Sequence, residues 1–124
     1  MKRIILLLSL PFATLLSSAT TPPVVEAHAL AHTFGGVLLQ ASFLPRGRDN
    51  LTGVWYEGGH AKLMRCSPRC EVIKKVPLEG PLMIGQDSTY RVVMAGSFRS
   101  GQRLKVMLRF DDLQLVTLTV PVND

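Results

Sequence analysis

From residue 24 onward, this chain is a series of short apolar or alternating runs, and none of them keeps a helical period. Turn-forming residues separate the runs, as in Pro45-Arg46-Gly47, Gly58-Gly59 and Asp111-Asp112. The predicted strands are Val24–Ala31, Gly36–Leu44, Leu51–Tyr56, Ala61–Cys66, Cys70–Val76, Pro81–Ile84, Ser88–Ala95, Arg103–Phe110 and Leu113–Val120. Short strands at such regular spacing predict an all-β chain, folded as an antiparallel sandwich or barrel.

Alternation along these strands predicts which side chains face the core. In Arg103–Phe110 the even-numbered positions are apolar and most odd-numbered ones are charged, so Met107 is expected to face solvent among cations. Met94 follows the apolar set of its own strand and is expected in the core. In the last strand the apolar phase slips between Leu115 and Val116, which predicts a β-bulge there.

The first residues have the pattern of an export signal. Lys2 and Arg3 precede an apolar run, Ile4–Leu16, and small residues follow it at a cleavage position. The run is shorter than the roughly 20 apolar residues that a transmembrane helix needs. We therefore expect a signal peptide over residues 1–19 and one mature domain over residues 20–124, without a membrane span and located in the periplasm or secreted.

Length and charge narrow the function classes. The 105 residues left after cleavage suit one domain with a modest core. Removal of the two N-terminal cations lowers the formal net charge from +5 to +3, and the remaining basic residues are scattered, so a nucleic-acid partner is not expected. The chain shows neither a serine–histidine–acid arrangement nor a phosphate-binding glycine loop, and no enzymatic activity is predicted.

Both cysteines of the chain, Cys66 and Cys70, flank a predicted turn at Ser67-Pro68-Arg69. If the flanking strands form a hairpin, the two cysteines lie opposite each other, and Met64 points to the same face because strand side chains alternate. Sulfur ligands suit Cu(I), so these three residues form a candidate copper site. His60 could add a nitrogen ligand if the Gly58-Gly59 turn brings it back.

The same geometry allows two other interpretations. In an exported protein, two cysteines are first expected to form a disulfide, here closing a short loop and stabilising the fold by about 2 kcal/mol. A redox-active pair is the third interpretation, although the spacing is not C-x-x-C and no helix N-terminus is expected nearby. A disulfide cannot act as a pair of thiolate ligands, so the oxidation state decides between the first two.

Six segments follow one another between residues 24 and 123: Val25–Ala29, Gly36–Gln40, Asp49–Val54, Tyr90–Gly96, Gly101–Phe110 and Val116–Val122. Their order and spacing resemble the PCuAC family of periplasmic copper chaperones. The resemblance implies a cupredoxin-like antiparallel β-sandwich that binds copper. It also implies a copper-acceptor protein as partner, such as a terminal oxidase subunit.

The family's copper ligands are largely replaced in this chain. The family uses a His or Met, a second Met, and a His-x-Met pair. The resemblance places Met64 at the first of these positions, Lys75 at the second, and Arg91 and Val93 at the pair. The implied function is therefore copper delivery from a rearranged sulfur-rich site. The alternative is a descendant that binds no metal and serves as a disulfide-closed binding or structural module.

Overall fold

Residues 21–123 are described by a computed structural model, so the predicted signal peptide, residues 1–19, lies outside the described residues. The strands are β1 Val24–Thr33, β2 Gly36–Leu44, β3 Asp49–Tyr56, β4 Gly59–His60, β5 Lys62–Cys66, β6 Cys70–Ile73, β7 Val76–Leu78, β8 Leu82–Ile84, β9 Tyr90–Ala95, β10 Arg103–Phe110 and β11 Leu115–Pro121. The helical structure of the described chain is a 3-10 turn, Asp111–Leu113. Within residues 21–123, no helix is long and apolar enough to cross a membrane.

Two antiparallel sheets form a sandwich. The first sheet has the order β1-β2-β9-β5-β6, and β8 pairs with the second half of β2. The second sheet has the order β11-β10-β3-β4, and β7 pairs with β3. The predicted all-β antiparallel sandwich is therefore confirmed.

The core lies between the inward faces of the sheets. Phe43 of the first sheet and Phe110 of the second meet edge to face, with ring centroids 6.2 Å apart, and both are almost fully buried. Met94 is fully buried, as its strand phase predicts, and Met107 is 38% exposed. Alternation therefore predicts correctly which of these two methionines packs in the core.

The predicted run Cys70–Val76 is divided between the two sheets. Its first part is β6 in the first sheet, and β7 lies in the second sheet. The chain crosses between the sheets at Lys74 and Lys75, which are both exposed. The two-residue strand β4 was absent from the prediction, because its glycine and histidine carry no apolar signal.

The β-bulge predicted in the last strand is wrong. β10 and β11 pair in one continuous register, from Arg103↔Pro121 to Arg109↔Leu115. Leu115 points outward and is 54% exposed. The pattern suggested a change of phase only because this apolar side chain lies on the solvent face of the strand. Register shifts occur instead within β1, after Ala27, and between β10 and β3.

Candidate functional site

The candidate site lies on the β5–β6 hairpin at the edge of the first sheet. β5 and β6 pair in register from Leu63↔Ile73 to Cys66↔Cys70, and Cys66 and Cys70 are joined by a disulfide. The turn is the predicted one, and its Ser67–Pro68 peptide is cis. The amide of Cys66 also donates to the Thr89 carbonyl at 2.6 Å, which ties the hairpin tip to the chain entering β9.

Met64 lies two residues before Cys66 on the outward face of β5. Leu63 is buried whereas Met64 is half-buried, so the thioether side of this strand faces away from the core. Cys66 has the same phase and is also half-buried. The structure therefore brings the three sulfur-bearing residues together on one hairpin, with the two cysteines in the disulfide state.

Met64 is flanked in the sheet by Val72 on β6 and by Arg91 on β9. The Nε of Arg91 donates to the carbonyl of Ser88 at 3.0 Å. Within residues 21–123, no carboxylate lies within ion-pair distance of Arg91. In the described part of the chain, the residue in register with the candidate methionine ligand is therefore a cation without an ion-pair partner.

His60 is not part of this hairpin and belongs to β4 of the second sheet. It pairs with Trp55 across the strands, and the two ring centroids are 5.1 Å apart. His60 is exposed and is four residues from Met64 along the chain. Among the described residues, no group of three or more His, Cys, Asp and Glu side chains is arranged to hold a metal ion.

The architecture is similar to that of two solved domains. One is described as "Copper-bound PCuAC domain from PmoF2", with a TM-score of 0.67 and 15% sequence identity over 85% of this chain and 95% of that chain. The chain has a PCuAC-like fold. The other solved domain is described as "Apo PCuAC domain from PmoF1", with a TM-score of 0.58 and 17% identity over 80% of this chain and 88% of that chain. No protein-family model matches the chain, and no curated protein matches it.

Two of the positions that the family resemblance assigns to copper ligands are neighbours in the first sheet. Met64 on β5 and Arg91 on β9 are direct register partners. Val93 pairs with Lys62, two residues away along each of the same two strands. Lys75 is exposed between β6 and β7. The structure thus places a guanidinium-bearing residue, Arg91, in register with Met64.

The sequence interpretation missed a second polar and aromatic arrangement, on the outer face of the second sheet. The guanidinium carbon of Arg109 lies 4.9 Å from the Trp55 ring centroid. A Cβ on Gly53 would lie within 3 Å of this indole, so the ring needs a glycine at that position. The pattern Gly53-x-Trp55 within one strand was the available signal, since aromatic side chains can cover a strand glycine.

Reduction of the disulfide is expected to lower the free energy of unfolding by about 2 kcal/mol, because the intact disulfide constrains a short loop of the unfolded chain. Cys66 and Cys70 are separated by four positions, so the loop is near the lower end of the stabilising range. Urea denaturation with and without a phosphine reductant measures this difference. The Cys66→Ser/Cys70→Ser variant should match the reduced protein, and a reduced protein with an unchanged midpoint would contradict the prediction.

Proposed function

We propose that this chain is an exported, periplasmic copper-binding protein that holds one Cu(I) through Met64 and the reduced thiols of Cys66 and Cys70. One observation carries the proposal: the three sulfur-bearing residues lie on one hairpin of a fold that, in the PmoF2 domain, has been solved with copper. Cu(I) prefers thiolate and thioether ligands. Two strand neighbours and a cross-strand partner are close enough to share one metal ion.

Copper binding requires the disulfide to be opened first. A dithiol reductant would supply two electrons and two protons, giving two thiols at Cys66 and Cys70 and becoming a disulfide itself. Metal binding then releases the thiol protons, since the thiolate is the ligand. The proposed site is therefore active only in the reduced state, and oxidation closes it.

The nearby cations are compatible with this chemistry. Two thiolates and one Cu(I) carry a net charge of −1, which the guanidinium groups of Arg69 and Arg91 stabilise. Arg69 lies within the turn between the cysteines, and Arg91 pairs with Met64. The same cations would repel a copper ion held by neutral ligands alone. The charge pattern therefore favours a thiolate site over a site made only of thioether and imidazole ligands.

The exposed position of the hairpin suits transfer of copper to another protein. Cys70 and the turn residues are exposed, so an acceptor could approach the metal directly and exchange ligands with it. Such a role needs affinity and access, with no reaction catalysed. The PCuAC resemblance suggests a copper-acceptor protein such as a terminal oxidase subunit as the partner.

An anaerobic Cu(I) competition titration tests the proposal. Residues 20–124, either fully reduced or fully oxidised, compete with a chromophoric Cu(I) chelator. We expect the reduced protein to remove one copper per chain from the chelator and the oxidised protein to remove none. Failure of both forms to compete, or equal competition by both, would contradict the proposal.

A second candidate function is a metal-free binding or structural module closed by the disulfide. The state of the cysteines favours it, because they are already paired. The replacement of three aligned ligand positions by Lys75, Arg91 and Val93 favours it as well. This alternative predicts the same loss of stability on reduction, together with no copper uptake by the reduced protein. The titration above therefore separates the two functions.

A further inference from the structure

A cationic cleft of about 380 Å³ is lined by residues of both sheets, including residues of the hairpin. Thr52 of β3 and Arg109 of β10 line it from the second sheet. Lys62 of β5 lines it from the first sheet, Lys74 from the crossing between the sheets, and His60 from β4. Its volume lies within the range of small-ligand sites, roughly 300–1,000 Å³.

The charges around this cleft all have one sign. Arg109, Lys62 and Lys74 line it, and no aspartate or glutamate of the described chain does. None of the three cations forms an ion pair within residues 21–123. Like charges that converge on one concave surface raise its potential and attract anions.

Arg109 is held in place before any ligand arrives. Its Nε donates to Thr52 Oγ1 at 3.0 Å, and a terminal nitrogen donates to the Thr52 carbonyl at 3.2 Å. Its guanidinium also stacks on Trp55, whose ring contacts His60 on β4. A guanidinium that is already fixed and still has N–H groups without a partner in these hydrogen bonds can bind a carboxylate or phosphate at little cost in conformational entropy.

The rest of the cleft wall is apolar. Ala61 and Leu63 contribute to it, as do Val72 and Ile73 of the hairpin strand β6. Val72 is 63% exposed, although it lies in the middle of a strand pair. A ligand that combines a charged head with a short apolar body would cover this surface while it neutralises the cations.

We propose that this cleft binds a small organic anion, with a carboxylate or phosphate head at Arg109, Lys62 and Lys74 and an aliphatic body against Val72 and Ile73. The anion would also relieve the repulsion among the three cations. The site uses neither the cysteines nor Met64, so this inference goes beyond the copper-binding proposal and does not depend on it.

The fluorescence of Trp55, the one tryptophan of the sequence, provides a direct readout. The oxidised protein is titrated with hexanoate and, separately, with hexyl phosphate; the two arms distinguish the carboxylate from the phosphate head. Hexanol is the control that has the aliphatic chain but no charge. Inorganic phosphate is the control that has the charge but no aliphatic chain. We expect a saturable change with at least one of the two organic anions, at least tenfold weaker binding of inorganic phosphate, and no saturable change with hexanol.

Substitutions then locate the site by calorimetry, which does not depend on the indole environment. Arg109→Gln, and separately the pair Lys62→Gln/Lys74→Gln, should each weaken binding of the preferred anion at least tenfold. Lys105→Gln is the matched control, because this exposed cation lies on the same strand as Arg109 but outside the cleft. The affinity of Lys105→Gln for the preferred anion should stay within twofold of that of the unsubstituted protein.

Two sets of results would overturn the inference. Equal binding of hexanol and hexanoate would show that charge plays no part. Unchanged binding in both cation variants, or an equal loss in Lys105→Gln, would show that the anion is not held in this cleft. Circular dichroism of each variant confirms that the β-sandwich is intact, so that lost binding is not confused with unfolding.

Discussion

Replacement of Gly36 by alanine is expected to lower the free energy of unfolding by about 3 kcal/mol or more, a large part of a small domain's stability. Gly36 opens β2 and pairs with Ala95 at the end of β9. A Cβ at this position would collide with the backbone carbonyl of Met94. Because the obstacle is backbone and not a flexible side chain, relief requires β2 and β9 to move apart.

Chemical denaturation of Gly36→Ala and Gly47→Ala measures the effect. Gly47 is exposed, and a Cβ there would meet nothing within 4 Å, so its substitution should change stability by less than about 0.5 kcal/mol. Equal stability of the two variants would show that the first sheet tolerates a wider spacing between β2 and β9. Pairing of these strands matters for the site, since β9 also carries Arg91 beside Met64.

The second large effect is expected from the sulfur ligands. Under reducing conditions, Cys66→Ser/Cys70→Ser should weaken Cu(I) binding by more than about 100-fold. Mutation of residues that only hydrogen-bond to a metal ligand already lowers metal affinity by about 10–100-fold, and here two ligands themselves are removed. A hydroxyl is a much poorer ligand for a soft metal ion than a thiolate is. Met64→Leu removes one thioether and should cause a smaller loss, about tenfold.

Met83→Leu is the matched control for these substitutions. Met83 is 71% exposed on β8, which pairs with β2 and not with either strand of the hairpin, so its substitution should leave Cu(I) affinity unchanged. A cysteine variant that binds copper as tightly as the unsubstituted protein would place the metal elsewhere. A loss in Met83→Leu as large as that in Met64→Leu would indicate nonspecific binding by exposed methionines.

Much of the strand pattern could be predicted from local alternation. β2 and β10 have the predicted bounds because each alternates or stays apolar up to a clear turn residue. The division between β6 and β7 could not be predicted from the sequence, because residues 70–76 have the pattern of one strand. Lys74 and Lys75 can be recognised as the crossing between the sheets only when the pairing of both sheets is known. Local patterns predict strands, whereas pairing partners depend on contacts distant in sequence.

The parts of the candidate site that depend on local sequence could be predicted, and the parts that depend on distant strand pairing could not. The hairpin of Cys66 and Cys70 is local, and its register follows from a short turn, so the opposition of the two cysteines was predictable. The contact between Trp55 and Arg109 was not, since it depends on the pairing of β3 with β10. The position of His60 depends likewise on β4, a strand of two residues.

Copper K-edge X-ray absorption of the reduced protein, loaded with one Cu(I) per chain, tests the sulfur site most directly. Met64, Cys66 and Cys70 predict a first shell of sulfur atoms alone, with one scatterer fewer in Met64→Leu. A shell that contains nitrogen or oxygen donors, or a spectrum that Met64→Leu leaves unchanged, would contradict the proposed site.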